Sequence, residues 1–157
     1  MKVIDIITGL RPSLSFEIFP PKTGDNFEAV KGAAEKIAGL HPSFMSVTYG
    51  AGGGTSEYTA ALAADLLNFG VTPLAHLTCI SSTKEKVRSQ LDLLKAKGIE
   101  NILALRGDIL PGTDLEHCDY RHASELTAEI AAYGGFCIGG ACYPESHPRF
   151  RKYRKRP

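Results

Sequence analysis

Residues 44–77 read FMSVTYGAGGGTSEYTAALAADLLNFGVTPLAHL, and this stretch contains one complete structural unit. An apolar run of strand length at 44–49 leads through a glycine-rich turn into a stretch with helical periodicity at 55–70, and a second apolar run follows at 72–77. Runs that are apolar at most positions are typical of strands buried on both faces. The stretch therefore predicts two parallel strands joined by a helical crossover.

The same unit recurs along the chain at a nearly constant interval. Three further apolar runs of strand length lie at 14–19, 101–106 and 136–143. Between the five runs lie segments with helical periodicity, which are 26–40, 55–70, 83–98 and 123–135. Three of these segments end in glycine, the residue that most often ends a helix (Gly70, Gly98 and Gly134). The chain is thus predicted to contain five parallel strands with helical crossovers, preceded by a short helix or lead-in.

Two architectures combine parallel strands with helices in this way. A doubly wound sheet typically carries a glycine-rich fingerprint after its first strand, but the turn FPPKTGDN at 19–26 has no GxGxxG pattern. In YGAGGGTSE, residues 49–57, Thr55 occupies the place of the last glycine, and no phosphate-binding P-loop occurs in the sequence. The pattern therefore favours an α/β fold that is an incomplete (β/α)8 TIM barrel with about five of its eight βα units, since a closed barrel takes about 250 residues.

Composition and charge exclude several classes of protein. With 43% hydrophobic and 22% charged residues, the chain has the composition of a soluble globular domain, and no apolar run approaches the roughly 18 residues that would span a membrane. Four cysteines without CxxC spacing predict reduced thiols and a cytoplasmic location. Residues 1–148 have an acidic excess, so nucleic-acid binding is not expected. We predict a partial-barrel domain at 1–148 and, at 149–157, a basic tail that is not native to the fold.

Each predicted strand carries polar residues at or just after its carboxyl end, and in TIM barrels the active site lies at the carboxyl ends of the strands. These residues are Glu17, Thr48, Tyr49, His76, Arg106, Asp108, Tyr143, Glu145 and His147. Each alone also has a structural interpretation: Glu17 as a surface residue on an edge strand, His76 as a hydrogen-bonded core histidine, and Arg106 with Asp108 as an ion pair. Their recurrence at successive strand ends predicts one shared site.

Two further motifs have open interpretations. The turn AGGGTS at 51–56 suits either a flexible connection to a helix or a cradle for an anionic or carbonyl-rich ligand. His117, Cys118 and His122 lie close together in the sequence, but they lack the spacing of a known metal site. We therefore predict no metal site.

The strand-end segments, taken together, resemble a known family. SFEIFPPKT, FMSVTYGAGGGT, AHLTC, ILALRGDILPG and ACYPESHP resemble, in order and spacing, the corresponding segments of methylenetetrahydrofolate reductases, over roughly residues 12–148. The resemblance implies a TIM-barrel flavoprotein of one-carbon and methionine metabolism. Such enzymes use FAD and either NADH or NADPH to reduce 5,10-methylenetetrahydrofolate to 5-methyltetrahydrofolate, and the complete enzymes are implied to be homo-oligomers.

The resemblance also implies a role for each matching residue. Glu17 matches the general acid that protonates N10 of the folate, and its apolar neighbours Phe16, Ile18 and Phe19 are expected to form a pocket that favours the protonated carboxyl group. Asp108 matches a catalytic aspartate that contacts both the folate and the flavin. The remaining matches are cofactor contacts: Thr48 (near the nicotinamide), Tyr49, Ala51, His76, Arg106, Gly107, His122, Ala123, Tyr143 and His147.

The chain departs from the family pattern after Pro148. Where the family continues with a further helix and three more strand–helix units, this chain reads RFRKYRKRP at 149–157. We therefore expect that the reading frame shifts or the gene is broken at this point, and that the 157-residue product has no reductase activity. Two alternatives stay open: another TIM-barrel enzyme, such as a lyase acting on a phosphorylated substrate, and a non-enzymatic fragment whose basic tail binds acidic partners.

Overall fold

The computed structural model describes residues 1–21, 23–49, 56–80, 82–109 and 118–143. In this part of the chain, five strands alternate with helices, and a short 3₁₀ turn precedes the second helix. The elements are α1 (Val3–Ile7), β1 (Ser15–Ile18), α2 (Phe27–Ala38), β2 (Phe44–Val47), α3 (Ser56–Asn68), β3 (Pro73–Thr78), α4 (Lys84–Ala96), β4 (Asn101–Leu105), α5 (Ala123–Tyr133) and β5 (Cys137–Gly140). The predicted strands and crossover helices are confirmed, and only their ends differ.

The five strands form one parallel sheet in the order β1-β2-β3-β4-β5. Each strand therefore pairs with its neighbour in the sequence, and a helix connects the two. In a doubly wound sheet the strand order reverses at a switch point, whereas a sequential order is that of a barrel wall. The fold is thus confirmed as α/β and as a partial TIM barrel, and β1 and β5 are the edges of the described sheet.

One face of this sheet packs against the helices and forms the hydrophobic core. Alternate strand residues on this face are fully buried, among them Met45, Val47, Ala75, Leu77, Ile102 and Ala104. The helices contribute Leu62, Leu66, Leu91, Leu126 and Ile130. Because successive strand residues point to opposite faces, the residues between these lie on the other face, which is the inner wall of the barrel. Ser46 and His76 are inner-wall residues for this reason.

The N-terminal segment packs at the amino ends of the strands, opposite the predicted site. The buried side chain of Asn101 accepts a hydrogen bond from the Val3 N–H at 2.7 Å. Its amide nitrogen donates to the carbonyl oxygens of Met1, at 3.0 Å, and Pro73, at 3.1 Å. A buried amide group requires such partners, so Asn101 fixes the N-terminal segment to the sheet. The predicted first helix is confirmed as α1.

The ends of α4 show how local sequence sets a helix boundary. The Thr83 hydroxyl accepts a hydrogen bond from the Lys86 N–H at 3.2 Å, which satisfies one of the free donors of the first turn. Gly98 follows the helix with φ of +75°, a conformation that costs glycine little. None of the helices in the described part of the chain is both long and apolar enough to cross a membrane.

Candidate active site

The connections that follow β3 and β4 are hydrogen-bonded to each other at the carboxyl edge of the sheet. The Ile80 N–H donates to the Arg106 carbonyl oxygen at 2.8 Å, and the Cys79 N–H donates to the same oxygen at 3.3 Å. The Cys79 thiol also contacts the His122 carbonyl oxygen at 3.6 Å, which brings the start of α5 to this edge. The structure therefore places two predicted site residues, Arg106 and His122, next to the end of β3.

Three polar side chains from β1, β2 and β3 meet on the inner wall, and we call Glu17, Ser46 and His76 the inner-wall cluster. The Ser46 hydroxyl donates to Oε2 of Glu17 at 3.3 Å, and Nε2 of His76 lies 3.6 Å from the same oxygen. Ser46 and His76 are buried, whereas 46% of the Glu17 side chain is exposed. Ser46 is not among the site residues predicted from the sequence, although alternation along β2 places it on the same face as Thr48, two residues later.

The prediction that Phe16, Ile18 and Phe19 form an apolar pocket around the Glu17 carboxyl group is wrong. Phe16 and Ile18 lie on the opposite face of β1 and pack in the helix-facing core, and Phe19 is 67% exposed. Neighbours in a strand alternate between the two faces of the sheet, so an apolar flank in the sequence does not surround the residue between. The contacts of the Glu17 carboxylate are polar instead and come from Ser46 and His76.

Burial lowers the pKa of His76 below its ordinary value of 6.5, because loss of water disfavours the charged imidazolium. The nearby Glu17 carboxylate acts in the opposite direction and offsets the effect only in part. His76 is therefore neutral at pH 7, and its contact with Glu17 is not an ion pair at that pH. Its Nε2 is buried without a hydrogen-bond partner among the described residues, so this atom is available to a ligand.

His76 makes stability depend on pH in one direction. Because its pKa is lowered in the folded protein, the unfolded chain takes up a proton at this site first as the pH falls. The contribution of neutral His76 is therefore complete above about pH 6.5 and is lost progressively below it. We expect the free energy of unfolding, measured with urea between about pH 7.5 and about pH 5, to fall less steeply in His76→Gln than in the unchanged chain. Equal slopes would contradict this prediction.

The segment after β4 crosses close to the end of β3. Gly107 has φ of +85°, and a Cβ atom there would lie 3.0 Å from Cβ of Thr78 and 3.1 Å from Cγ2 of Ile80. Only glycine can adopt this positive φ and also leave room for the Thr78 and Ile80 side chains without strain. Arg106 donates from Nε to the Gly107 carbonyl oxygen at 3.1 Å, while Asp108 is exposed. Within the described ranges no ion pair joins Arg106 to Asp108, so the ion-pair interpretation of these two residues is not supported.

The end of β2 is fixed to two neighbouring elements. The Thr48 N–H donates to the Ile18 carbonyl oxygen at 3.0 Å, and the Thr48 carbonyl oxygen accepts from the Thr59 hydroxyl at 2.9 Å. Tyr49 is half-buried against the helix-facing core.

Tyr143 lies beyond β5 and is 57% exposed. Three predicted residues lie outside the described residues, namely Ala51, Glu145 and His147.

The start of α5 carries two more predicted contacts, His122 and Ala123. The His122 N–H donates to the Glu125 carboxylate at 2.9 Å, and His122 itself is exposed.

Cys79 is fully buried, and burial raises the pKa of its thiol to about 11, which makes it unreactive. Among the residues with described positions, no group of three or more His, Cys, Asp or Glu could hold a metal ion, and His117 lies outside them.

Comparison with known proteins gives the family. The family model described as methylenetetrahydrofolate reductase matches residues 2–156. This chain belongs to the methylenetetrahydrofolate reductase family. It is 34% identical to methylenetetrahydrofolate reductase (NADH) 1 of Arabidopsis thaliana over 94% of the chain and 27% of that protein. It is also 34% identical to 5,10-methylenetetrahydrofolate reductase of Escherichia coli K12, over 87% of the chain and 45% of that protein.

The alignments cover nearly all of this chain but only part of each relative's length. Methylenetetrahydrofolate reductase 2 of Schizosaccharomyces pombe is 38% identical over 94% of the chain but only 24% of its own length. The chain thus spans between 24% and 45% of the length of the curated relatives named here. The family match runs through residue 156 and so includes most of the basic segment 149–157. The origin of that segment stays a prediction, because residues 144–157 lie outside the described part of the chain.

Proposed function

We propose that this chain forms five strands of a TIM barrel whose active site reduces 5,10-methylenetetrahydrofolate to 5-methyltetrahydrofolate with FAD and a nicotinamide nucleotide. The observation that carries the proposal is the inner-wall cluster, in which a half-exposed carboxylate lies beside a buried neutral imidazole at the carboxyl half of the sheet. Membership of the reductase family supports it. The Arabidopsis thaliana relative is named for NADH, and for this chain NADH and NADPH are both retained.

The described residues fit a flavin. Nε2 of His76 is a buried polar atom without a partner on the inner wall, and a flavin ring has nitrogen and carbonyl groups along its edge that could bond to it. FAD, when bound, supplies the transfer of a hydride from the nicotinamide nucleotide to the folate. The residues that would hold it are Thr48, Tyr49, His76, Arg106, Gly107, Asp108, His122, Ala123 and Tyr143, together with Ala51 and His147 outside the described residues.

Glu17 is proposed to act as the general acid for the folate. Its carboxyl group is close to half exposed, so it can contact a substrate on the inner wall and regain a proton from water. The Ser46 hydroxyl donates to Oε2 and would stabilise the carboxylate that remains after the proton has left. Glu17 is therefore the described residue that is best placed to protonate N10.

Asp108 is proposed to contact both the folate and the flavin. It is exposed just after the close crossing at Gly107, and among the described residues it forms no ion pair that would neutralise its charge. A carboxylate in this place can accept hydrogen bonds from the amino-pyrimidine edge of the folate and stabilise positive charge that develops there. Its negative charge would also disfavour a reduced, anionic flavin.

The test of this proposal is Asp108→Asn in a chain extended through the remaining strand–helix units of the family. We expect weaker folate binding and a higher flavin reduction potential, because one negative charge near the ring is removed. Reduction of the flavin by the nicotinamide nucleotide should be no slower, whereas the folate step should slow. Asp5→Asn is the matched control, since Asp5 is an exposed carboxylate in α1 at the opposite end of the sheet. An unchanged potential in spectroelectrochemical titration would argue against a position of Asp108 beside the flavin.

The proposal extends to location and assembly. The four cysteines are free of disulfides, which suits the reducing cytoplasm. We propose a cytoplasmic enzyme that binds methylenetetrahydrofolate and a nicotinamide nucleotide, without a nucleic-acid or membrane partner. The complete family enzyme is proposed to be a homo-oligomer, and the place of the reaction is one-carbon and methionine metabolism.

A further inference from the structure

We propose that Ser46 is a positioning residue that holds Oε2 of Glu17 against β2, so that Oε1 is the oxygen from which the proton leaves. The assignment of Oε1 as the proton-donating oxygen rests on the proposed function, whereas the positioning of Glu17 does not. Ser46 carries no assigned role in the resemblance described above. What points to it is the geometry of the inner-wall cluster.

Both polar contacts that the described residues make with the Glu17 carboxylate are on one oxygen. Oε2 accepts from the Ser46 hydroxyl at 3.3 Å and lies 3.6 Å from Nε2 of His76. None of the residues that the structure describes forms a hydrogen bond with Oε1. Ser46 is buried on β2, directly opposite Glu17 in the strand register, so its hydroxyl has little freedom to move away. An exposed glutamate side chain would otherwise rotate among several staggered conformations.

This arrangement has a chemical consequence for proton transfer. In the step, the bond between Oε1 of Glu17 and its proton breaks and a bond between that proton and N10 of the folate forms. The electron pair stays on the carboxylate, and its charge is shared with Oε2, where the Ser46 hydroxyl already donates. A donor that is in place before the reaction needs no reorganisation when the charge develops. Ser46 thus acts on the folate only through Glu17.

The test uses the effect of Glu17 on His76, which does not depend on catalysis. The Glu17 carboxylate raises the pKa of His76 by its charge, and it is the one charged group among the described residues that acts on this imidazole. Glu17→Gln should therefore lower the pKa of His76, because the carboxylate charge that raises it is removed. If Ser46 holds Glu17 in place, the same substitution should have a much smaller effect in a Ser46→Ala background. The measurement is an NMR titration of the histidine side chains in the 157-residue chain.

Ser43→Ala is the matched control. Ser43 precedes the same strand, and its hydroxyl accepts from the Leu14 N–H at 3.1 Å without contact to Glu17. In that background Glu17→Gln should lower the pKa of His76 as much as in the unchanged chain. The dispersion of the backbone amide resonances reports in each variant whether the protein remains folded.

Each outcome decides the inference. An effect of Glu17→Gln that is lost with Ser46→Ala and kept with Ser43→Ala supports it. An equal effect in both backgrounds would overturn it, because Glu17 would then stay beside His76 without the Ser46 hydroxyl. Failure of the proposed function would be seen separately, as an extended chain that does not reduce methylenetetrahydrofolate although the coupling between Glu17 and His76 is present.

Discussion

Glu17→Gln should lower the rate of methylenetetrahydrofolate reduction by about 100- to 10,000-fold in a chain extended through the remaining units of the barrel. The reason is that an amide keeps the shape of the side chain but does not act as a general acid. Oxidation of the nicotinamide nucleotide with an artificial electron acceptor needs no proton on the folate, so this activity should be retained. The two activities are measured separately, by product formation and by loss of nicotinamide absorbance. The separation of the two half-reactions is the expected signature of a general acid.

Two features of the structure sharpen this experiment. Glu17 is close to half exposed and its backbone is paired with β2, so the amide variant should fold normally. Glu35→Gln is the matched control, because Glu35 is an exposed glutamate on α2, away from the inner wall. A parallel loss of both activities in Glu17→Gln would instead make Glu17 a residue for flavin binding or for structure.

The 157-residue chain by itself should bind FAD at least about 100-fold more weakly than the extended chain, which corresponds to about 2.8 kcal/mol of binding free energy. The described sheet has two open edges, β1 and β5, each with a row of unpaired backbone groups. Its inner wall is covered only in part, since Leu74, Leu103 and Leu105 stay half-buried. A wall of five strands therefore offers the flavin contacts on one side only, and open edges favour aggregation.

The measurement is a titration with FAD, followed by the change in flavin fluorescence, at several protein concentrations. We expect a preparation without the visible absorbance of oxidised flavin and without detectable reductase activity with NADH or NADPH. Adding a polypeptide that carries the remaining strand–helix units should restore part of the affinity. A yellow protein that reduces methylenetetrahydrofolate at a normal rate would contradict the prediction. It would show that copies of the chain cover the open edges of one another.

The sequence by itself determined the architecture. The apolar runs and the helical periodicity between them correctly predicted five parallel strands and their crossover helices, since both depend on local spacing of apolar residues. The absence of a nucleotide-binding fingerprint separated a barrel from a doubly wound sheet, and the sequential strand order confirmed this choice. The family resemblance was equally local, because the segments that carry it are short motifs at strand ends, and the family match confirmed it.

Only the tertiary structure decided which polar side chains meet. Alternation along β1 predicts that Phe16 and Ile18 lie on the face opposite Glu17, but it does not predict which side chains contact Glu17. Ser46 is directly opposite Glu17 in the register, whereas Leu74 is opposite Ser46. His76, two residues further along β3, therefore reaches Glu17 only through the stagger and twist of neighbouring strands. Those quantities arise from packing of the whole sheet against its helices, and no single segment of sequence encodes them.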